Sequence, residues 1–136
     1  MPPVTTSPVV LVVDDEPCVL NAVCGILAHF GFAVLRAATP DEALRLAATV
    51  RQPIDLLLSD VVMPHLSGPA LAERFATVHP EAQCLFMAGF PNHPEVVSTI
   101  AERGLPFLPK PFLPKELISK VRQVLNGRTM ACGAGV

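Results

Sequence analysis

Acidic residues follow two short apolar runs, and their types suggest that they bind a metal ion. Asp14 and Asp15, with Glu16 after them, end the first run, and Asp60 ends the third. Sites in open α/β sheets form beyond the carboxyl ends of the strands, so Asp14, Asp15 and Asp60 converge if these runs are neighbouring strands. Three carboxylates in one place repel one another unless a cation neutralises them. Oxygen ligands of this kind favour a hard divalent ion, and Mg²⁺ suits a site that also takes phosphate oxygens.

Lys110 follows the last short apolar run and is expected to reach the same pocket. A lysine there can hold a carboxylate when the site is empty and a phosphoryl oxygen when it is full. The alternative to a functional site is that Lys110 is an ordinary surface lysine and that the acids only keep the loops soluble. Negative charge at a helix start is the better interpretation for Glu16. Asp14 and Asp15 alone fit either interpretation, whereas the set with Asp60 and Lys110 favours a functional site.

The elements that must position these side chains alternate along the chain. The predicted strands are 9–13, 33–36, 54–59, 83–87 and 106–108. The predicted helices are 17–30, 40–49, 67–78, 94–104 and 114–126, the second of them opened by a capping box at Thr39-Pro40-Asp41-Glu42. Strict alternation predicts an α/β fold with a doubly wound, five-stranded parallel sheet. Right-handed crossovers leave a few topologies, and the flavodoxin-like (βα)5 fold with strand order 2-1-3-4-5 fits this length.

Length and composition narrow the class of protein. We expect 136 residues to form a single domain, 1–136, with a core over about 8–127 and loose ends at 1–7 and 128–136. Hydrophobic residues make up 51% and charged residues 16%, which suits a sheet buried on both faces. A net charge of −2 without a basic patch argues against direct nucleic-acid binding. No apolar run reaches a membrane span, so we expect no membrane contact. The four cysteines form no C-x-x-C pair, so we expect reduced thiols and a cytoplasmic protein.

Three motifs stand in the order and spacing of one protein family. They are Val-Val-Asp-Asp-Glu-Pro (12–17), Leu-Ser-Asp-Val-Val-Met-Pro (58–64) with Ser67-Gly68 after it, and Lys110-Pro111-Phe112. Over about residues 8–126 the chain resembles the receiver domains of two-component response regulators, of the chemotaxis-regulator type. Each motif alone is weak, but all three over five predicted strands are specific.

The resemblance implies a role for each site residue. Asp60 resembles the aspartate that accepts a phosphoryl group from the phosphohistidine of a histidine kinase or histidine phosphotransfer protein. Asp14 and Asp15 resemble the Mg²⁺-binding acids, Asp15 as the direct ligand, and the backbone carbonyl of Val62 would be a further ligand. Lys110 resembles the lysine that contacts the phosphoryl group. Such a domain is not an enzyme in the ordinary sense, because it takes part in phosphotransfer to its own aspartate and in slow autodephosphorylation.

The sequence departs from the family at one switch position. Family members carry Ser or Thr directly after the fourth strand, where this chain has Ala88, which has no hydroxyl to donate. Phe107 occupies the aromatic switch position and fits a core phenylalanine equally well. Two hypotheses follow: a phosphorylated signalling receiver with output through partner binding, and an adaptor (a pseudo-receiver) that binds its partner regardless of phosphorylation. Ala88 is the support for the second.

The resemblance carries two further expectations and leaves one other class to consider. The Lys110–Pro111 bond is expected to be cis, and the partner surface is expected on 94–103, 106–108 and 114–126. A flavin-binding, flavodoxin-like enzyme is the third class. It is disfavoured because Asp-Asp-Glu-Pro after the first strand would repel phosphate, and because the chain has no Trp or Tyr to stack on a flavin.

Overall fold

The computed structural model describes residues 7–63, 66–89 and 106–127, which form five strands and four helices. The strands are β1 Val9–Val13, β2 Ala33–Ala37, β3 Leu56–Asp60, β4 Gln83–Gly89 and β5 Phe107–Lys110. The helices are α1 Pro17–His29, α2 Pro40–Thr49, α3 Gly68–Ala76 and α4 Pro114–Gly127. The helix predicted over 94–104 lies outside the described residues.

All five strands are parallel, and their order in the sheet is β2-β1-β3-β4-β5. The predicted flavodoxin-like α/β fold is therefore confirmed. β1 lies between β2 and β3, with Val13 in register with both Ala37 and Ser59. The chain segments that carry Asp14 and Asp60 consequently leave the sheet side by side at the same edge.

Two apolar layers hold the helices against the sheet. All five residues of β1 are buried, because alternate side chains enter opposite layers. Leu11 and Val13 pack in a cluster with Leu71 and Phe75 of α3, and α2 joins it through small alanines. The other layer contains Val10 and Val12 with the buried residues of α1 and α4. A sheet covered on both sides explains the apolar composition of the chain.

The β3 strand begins two residues later than the predicted start at residue 54. The reason is Asp55, whose amide donates to the Val9 carbonyl at 2.9 Å. The Asp55 carboxylate also accepts from the Val9 amide at 2.8 Å. A side chain thus makes a bond that a strand backbone would make, and the regular ladder starts at Leu56.

Helix termini follow local capping, with one early ending. The predicted capping box of α2 is confirmed, since the Thr39 hydroxyl accepts from the Glu42 amide at 3.1 Å. The Glu42 carboxylate accepts from the Ala38 amide at 2.7 Å. The helix predicted over 67–78 ends at Ala76, because the amides of Thr77 and Val78 donate to carbonyls three residues back, as in a tighter 3₁₀ turn.

No helix within residues 7–63, 66–89 and 106–127 combines the length and apolar character that crossing a bilayer requires.

Candidate functional site

Three carboxylates meet at the carboxyl ends of β1 and β3. Asp14 and Asp15 follow β1 and Asp60 ends β3, and one carboxylate oxygen of each lies within 4.8 Å of the others. Asp14 is fully buried, Asp15 is exposed, and the side chain of Asp60 is 13% exposed. The structure therefore brings together the three acids that the strand pattern singled out, in a pocket that opens to solvent at Asp15.

Lys110 reaches this cluster from the end of β5, across the intervening strand β4. Its ammonium donates to the Asp14 carboxylate at 3.0 Å and lies 3.4 Å from the Asp60 carboxylate. The second oxygen of Asp14 accepts from the Glu16 amide at 2.9 Å. Asp14 is thus held on both sides, and Lys110 joins it to Asp60. The Lys110–Pro111 bond directly after it is cis, as the family resemblance implied.

The environment changes the protonation of two of these groups. Burial raises the pKa of the Asp60 carboxyl from 3.8 to about 6; the Lys110 charge opposes this increase, and the Asp14 and Asp15 charges add to it. For Lys110, burial lowers the pKa of the ammonium, but its hydrogen bonds and charge interactions with Asp14 and Asp60 outweigh burial and leave it raised. The lysine is therefore charged at neutral pH, and Asp60 ionises at an unusually high pH for a carboxyl.

The donor set of the pocket fits a divalent cation. Three carboxylates and one ammonium leave a net charge of −2 when all four groups are ionised. Carboxylate oxygens are the ligands that Mg²⁺ prefers in proteins. Asp14, Asp15 and Asp60 would hold the ion, with the backbone carbonyl of the exposed Val62 as a further ligand on the loop after Asp60.

The loop after Asp60 is held by contacts that the sequence interpretation missed. The Ser59 hydroxyl donates to the Asp60 carbonyl at 2.8 Å, and the Gly68 amide donates to the Val61 carbonyl at 2.7 Å. A Cβ on Gly68 would lie 2.5 Å from the Asp60 carbonyl, so only glycine fits there. A serine within an apolar strand run was the available signal for Ser59. Gly68 was noted only as part of a motif.

Ala88 and Phe107 lie on the strands beside the site. Asp60 is in register with Met87, so Ala88 is one residue further along β4, where its side chain is 4% exposed. Ala88 belongs to the apolar cluster with Val61, and the half-buried Phe107 packs against that cluster. Ala88 offers a methyl group where the family has a hydroxyl. Phe107 thus packs against core residues, as a core phenylalanine would.

The fold and the pocket together define a class of protein. A parallel sheet with an acidic pocket at its switch point, completed by a lysine from the last strand, is suited to holding a cation and a phosphoryl group. Residues 10–122 match the model of the response regulator receiver domain family. The chain belongs to this family.

Individual relatives agree with this assignment. The chain is 34% identical over 120 residues to "Sensor kinase CckA" of Brucella abortus (strain 2308), covering 88% of this chain and 13% of that protein. It is 33% identical over 121 residues to "DNA-binding transcriptional regulator NtrC" of Azospirillum brasilense, covering 88% of this chain and 24% of that protein. The chain therefore spans less than a quarter of the length of either relative.

Solved structures show the same fold. The receiver domain of the hybrid histidine kinase CckA superposes with a TM-score of 0.71 at 35% identity, covering 86% of this chain and 98% of that one. A CheY-like receiver domain protein from Methanospirillum hungatei JF-1 superposes with a TM-score of 0.78 at 25% identity, covering 90% of this chain and 97% of that one. Both likenesses extend over nearly the whole receiver domain of the neighbour.

Proposed function

We propose that this chain is a Mg²⁺-dependent receiver that accepts a phosphoryl group on Asp60 from the phosphohistidine of a histidine kinase or histidine phosphotransfer protein. Residues 8–127 form the core of its one domain, and its output is the binding of a partner. The observation that carries the proposal is the position of Lys110, within 3.4 Å of the Asp60 carboxylate in an acidic pocket of net charge −2. Asp60 thus has one positive counter-charge in Lys110, and the remaining negative charge of the pocket suits a divalent cation.

The chemistry assigns a task to each residue. An Asp60 carboxylate oxygen forms the new bond to phosphorus while the bond from phosphorus to the histidine nitrogen breaks, and the electron pair stays on the imidazole. Phosphoryl transfer of this kind depends on positioning and charge neutralisation more than on covalent help from the protein. Asp14 and Asp15 hold the cation, and Lys110 neutralises phosphoryl oxygens. When bound, Mg²⁺ supplies further neutralisation of the phosphoryl charge.

Phosphotransfer from a purified histidine kinase tests the source of the phosphoryl group. A kinase autophosphorylated with labelled ATP is mixed with the chain in Mg²⁺, and label is followed from the kinase to the chain. We expect transfer to the wild type and none to Asp60→Asn, with Asp41→Asn, an exposed acid of α2, as the matched control. Equal labelling of the wild type and Asp60→Asn would contradict the assignment of Asp60.

The second candidate is an adaptor that binds its partner whether or not it is phosphorylated, and Ala88 favours it. In a receiver with a hydroxyl at this position, one hydrogen bond to the charged phosphoryl group contributes roughly 1.5–3 kcal/mol. Moving a two-state switch from 1:99 to 99:1 takes about 5.5 kcal/mol. The missing bond is therefore a large part of the drive that would couple phosphate to shape.

The variant Ala88→Ser separates the two candidates. The wild type and the variant are compared with and without phosphorylation by the amide shifts of 83–89 and of Phe107, Leu108 and Lys110. The adaptor function predicts small shifts in the wild type and larger shifts in the serine variant. Large and equal shifts in both would show that this receiver switches without the hydroxyl.

The partner surface and the cellular location complete the proposal. Of the expected partner face, 106–108 covers the start of β5 and the residue before it, and 114–126 lies on α4, whereas 94–103 lies outside the described residues. A cytoplasmic location is part of the proposal, since an ATP-dependent kinase would be the source of the phosphoryl group.

A further inference from the structure

Ser59 is a buried polar residue near the end of β3, between three leucines and Asp60. Its side chain is fully buried, and it follows Leu56, Leu57 and Leu58, which are fully buried as well. Among the described residues, the buried polar or charged residues are Asp14, Ser59 and Gln83, so two of these three belong to the edge of the sheet that carries the site. Burying a hydroxyl is unfavourable unless it makes a hydrogen bond, so the bond that Ser59 makes is informative.

The hydroxyl of Ser59 bonds to the residue next to it rather than to another strand. It donates to the Asp60 backbone carbonyl at 2.8 Å. The last register pair between β1 and β3 is Val13 with Ser59, so Asp60 lies one residue beyond the part of β3 that β1 holds. The serine hydroxyl therefore fixes the acceptor's peptide group at the point where the ladder on that side ends.

The other end of this peptide group is held by β4, and the next peptide group is held by α3. The Val61 amide donates to the Met87 carbonyl at 2.9 Å, and the Val61 carbonyl accepts from the Gly68 amide at 2.7 Å. Gly68 also lies so close to the Asp60 carbonyl that no Cβ fits between them. Two consecutive carbonyls, those of Asp60 and Val61, thus have defined partners immediately before Val62.

We propose that Ser59 is a positioning residue, whose hydroxyl orients the Asp60 peptide group and thereby sets the Asp60 carboxylate and the Val62 carbonyl for the cation and the incoming phosphoryl group. This inference rests on the proposed function. Ser59 itself touches neither the cation nor the phosphoryl group. Groups that orient metal ligands from behind are needed for both affinity and rate, and small misplacements of a reacting atom slow the reaction strongly.

Two pairs of variants separate positioning from general stability. Ser59→Ala removes the hydroxyl. As a control for lost stability, His79→Ala removes a ring that bonds to the Ala47 carbonyl of α2; it lies just before the amino end of β4, at the opposite edge of the sheet from the site. Ser59→Thr and Ser59→Val have nearly the same shape and differ in the hydroxyl, so they give the answer even if Ser59→Ala folds poorly. The readouts are the dissociation constant for Mg²⁺ in the unphosphorylated protein and the rate of phosphorylation by acetyl phosphate. A third readout is the rate of hydrogen exchange of the Gly68 amide, measured without metal.

We expect Ser59→Ala and Ser59→Val to bind Mg²⁺ about tenfold more weakly than the wild type, and to be phosphorylated correspondingly more slowly. Ser59→Thr should stay close to the wild type, and His79→Ala should change neither Mg²⁺ affinity nor the rate of phosphorylation. In metal-free protein, faster hydrogen exchange of the Gly68 amide in Ser59→Ala than in the wild type would also support the proposal. Wild-type affinity and rate in Ser59→Val would overturn it while leaving the proposed function intact. Failure of the wild type to bind Mg²⁺ and to be phosphorylated would overturn both.

Discussion

Replacing Asp60 by asparagine should stabilise the metal-free protein at neutral pH. Burial raises the pKa of Asp60 from 3.8 to about 6 in the folded state, so ionising this carboxyl is unfavourable there. Between about pH 4 and pH 6 the folded protein binds more protons than the unfolded chain, and its stability falls as the pH rises through that interval. The change of about two pKa units corresponds to roughly 3 kcal/mol, at 1.36 kcal/mol for each unit.

That figure already includes the favourable charge of Lys110, because the raised pKa is the balance of burial, Lys110 and the neighbouring acids. It is the upper limit of the gain, because any poorer fit of the asparagine amide in the pocket subtracts from it. Urea unfolding in the presence of a chelator, from pH 4 to pH 8, measures the difference in the free energy of unfolding. Far-UV circular dichroism is the signal, since the chain has no Trp and no Tyr. We expect Asp60→Asn and the wild type to be nearly equal in stability at pH 4, and the variant to be more stable by up to about 3 kcal/mol above pH 7.

A matched substitution controls for the loss of any carboxylate. Asp41 lies exposed in the first turn of α2, where negative charge is favourable, so Asp41→Asn should destabilise the protein by about 0.3–1 kcal/mol at pH 7. The two variants thus change stability in opposite directions. If Asp60→Asn is less stable than the wild type at pH 7.5, or if the difference does not depend on pH, the account of a strained acidic pocket is refuted.

Three further predictions follow from the described contacts. Gly68→Ala should destabilise the protein by about 1–3 kcal/mol and weaken Mg²⁺ binding, because its Cβ would press on the Asp60 carbonyl. The control Gly25→Ala, whose Cβ meets nothing within 4 Å, should be neutral or stabilising. Urea unfolding measures the stability of each variant, and Mg²⁺ titration measures its affinity. Lys110→Met should raise the pKa of Asp60 further, because the charge of Lys110 lowers it in the wild type. Carboxyl ¹³C NMR against pH measures this pKa, and a lower or equal value in the variant would contradict the prediction. His79→Ala should lower the free energy of unfolding by about 1 kcal/mol, because the His79 ring forms a hydrogen bond with the Ala47 carbonyl of α2 at 2.8 Å. An unchanged midpoint of urea unfolding would count against a contribution from that bond.

The sheet and the acidic cluster were predictable because both follow from short-range patterns. Apolar runs of about five residues with helices between them specify a parallel sheet, and side chains directly after such strands meet at one edge. Asp14, Asp15, Asp60 and Lys110 all occupy such positions. The strand order was expected from the alternation of elements and the length of the chain, and the cis bond after Lys110 from the family resemblance alone; both are confirmed.

The remaining features depend on contacts that local sequence does not encode. Asp55 reads as a strand residue, yet its carboxylate bonds to Val9, 46 positions away in the sequence, and delays the start of β3. Ser59 reads as one small residue in an apolar run, and its bond to the Asp60 carbonyl becomes visible only in three dimensions. The close approach of Gly68 to Asp60 likewise requires the path of α3.

Phosphorylation by acetyl phosphate, followed by the mass of the intact protein and of its peptides, tests the central claim most directly. Acetyl phosphate needs no partner protein, so the outcome depends on this chain alone. We predict the addition of one phosphoryl group, located on Asp60, in the presence of Mg²⁺ and not with a chelator, and no addition to Asp60→Asn. An unmodified wild type in Mg²⁺, or a phosphoryl group found on another residue, would contradict the account.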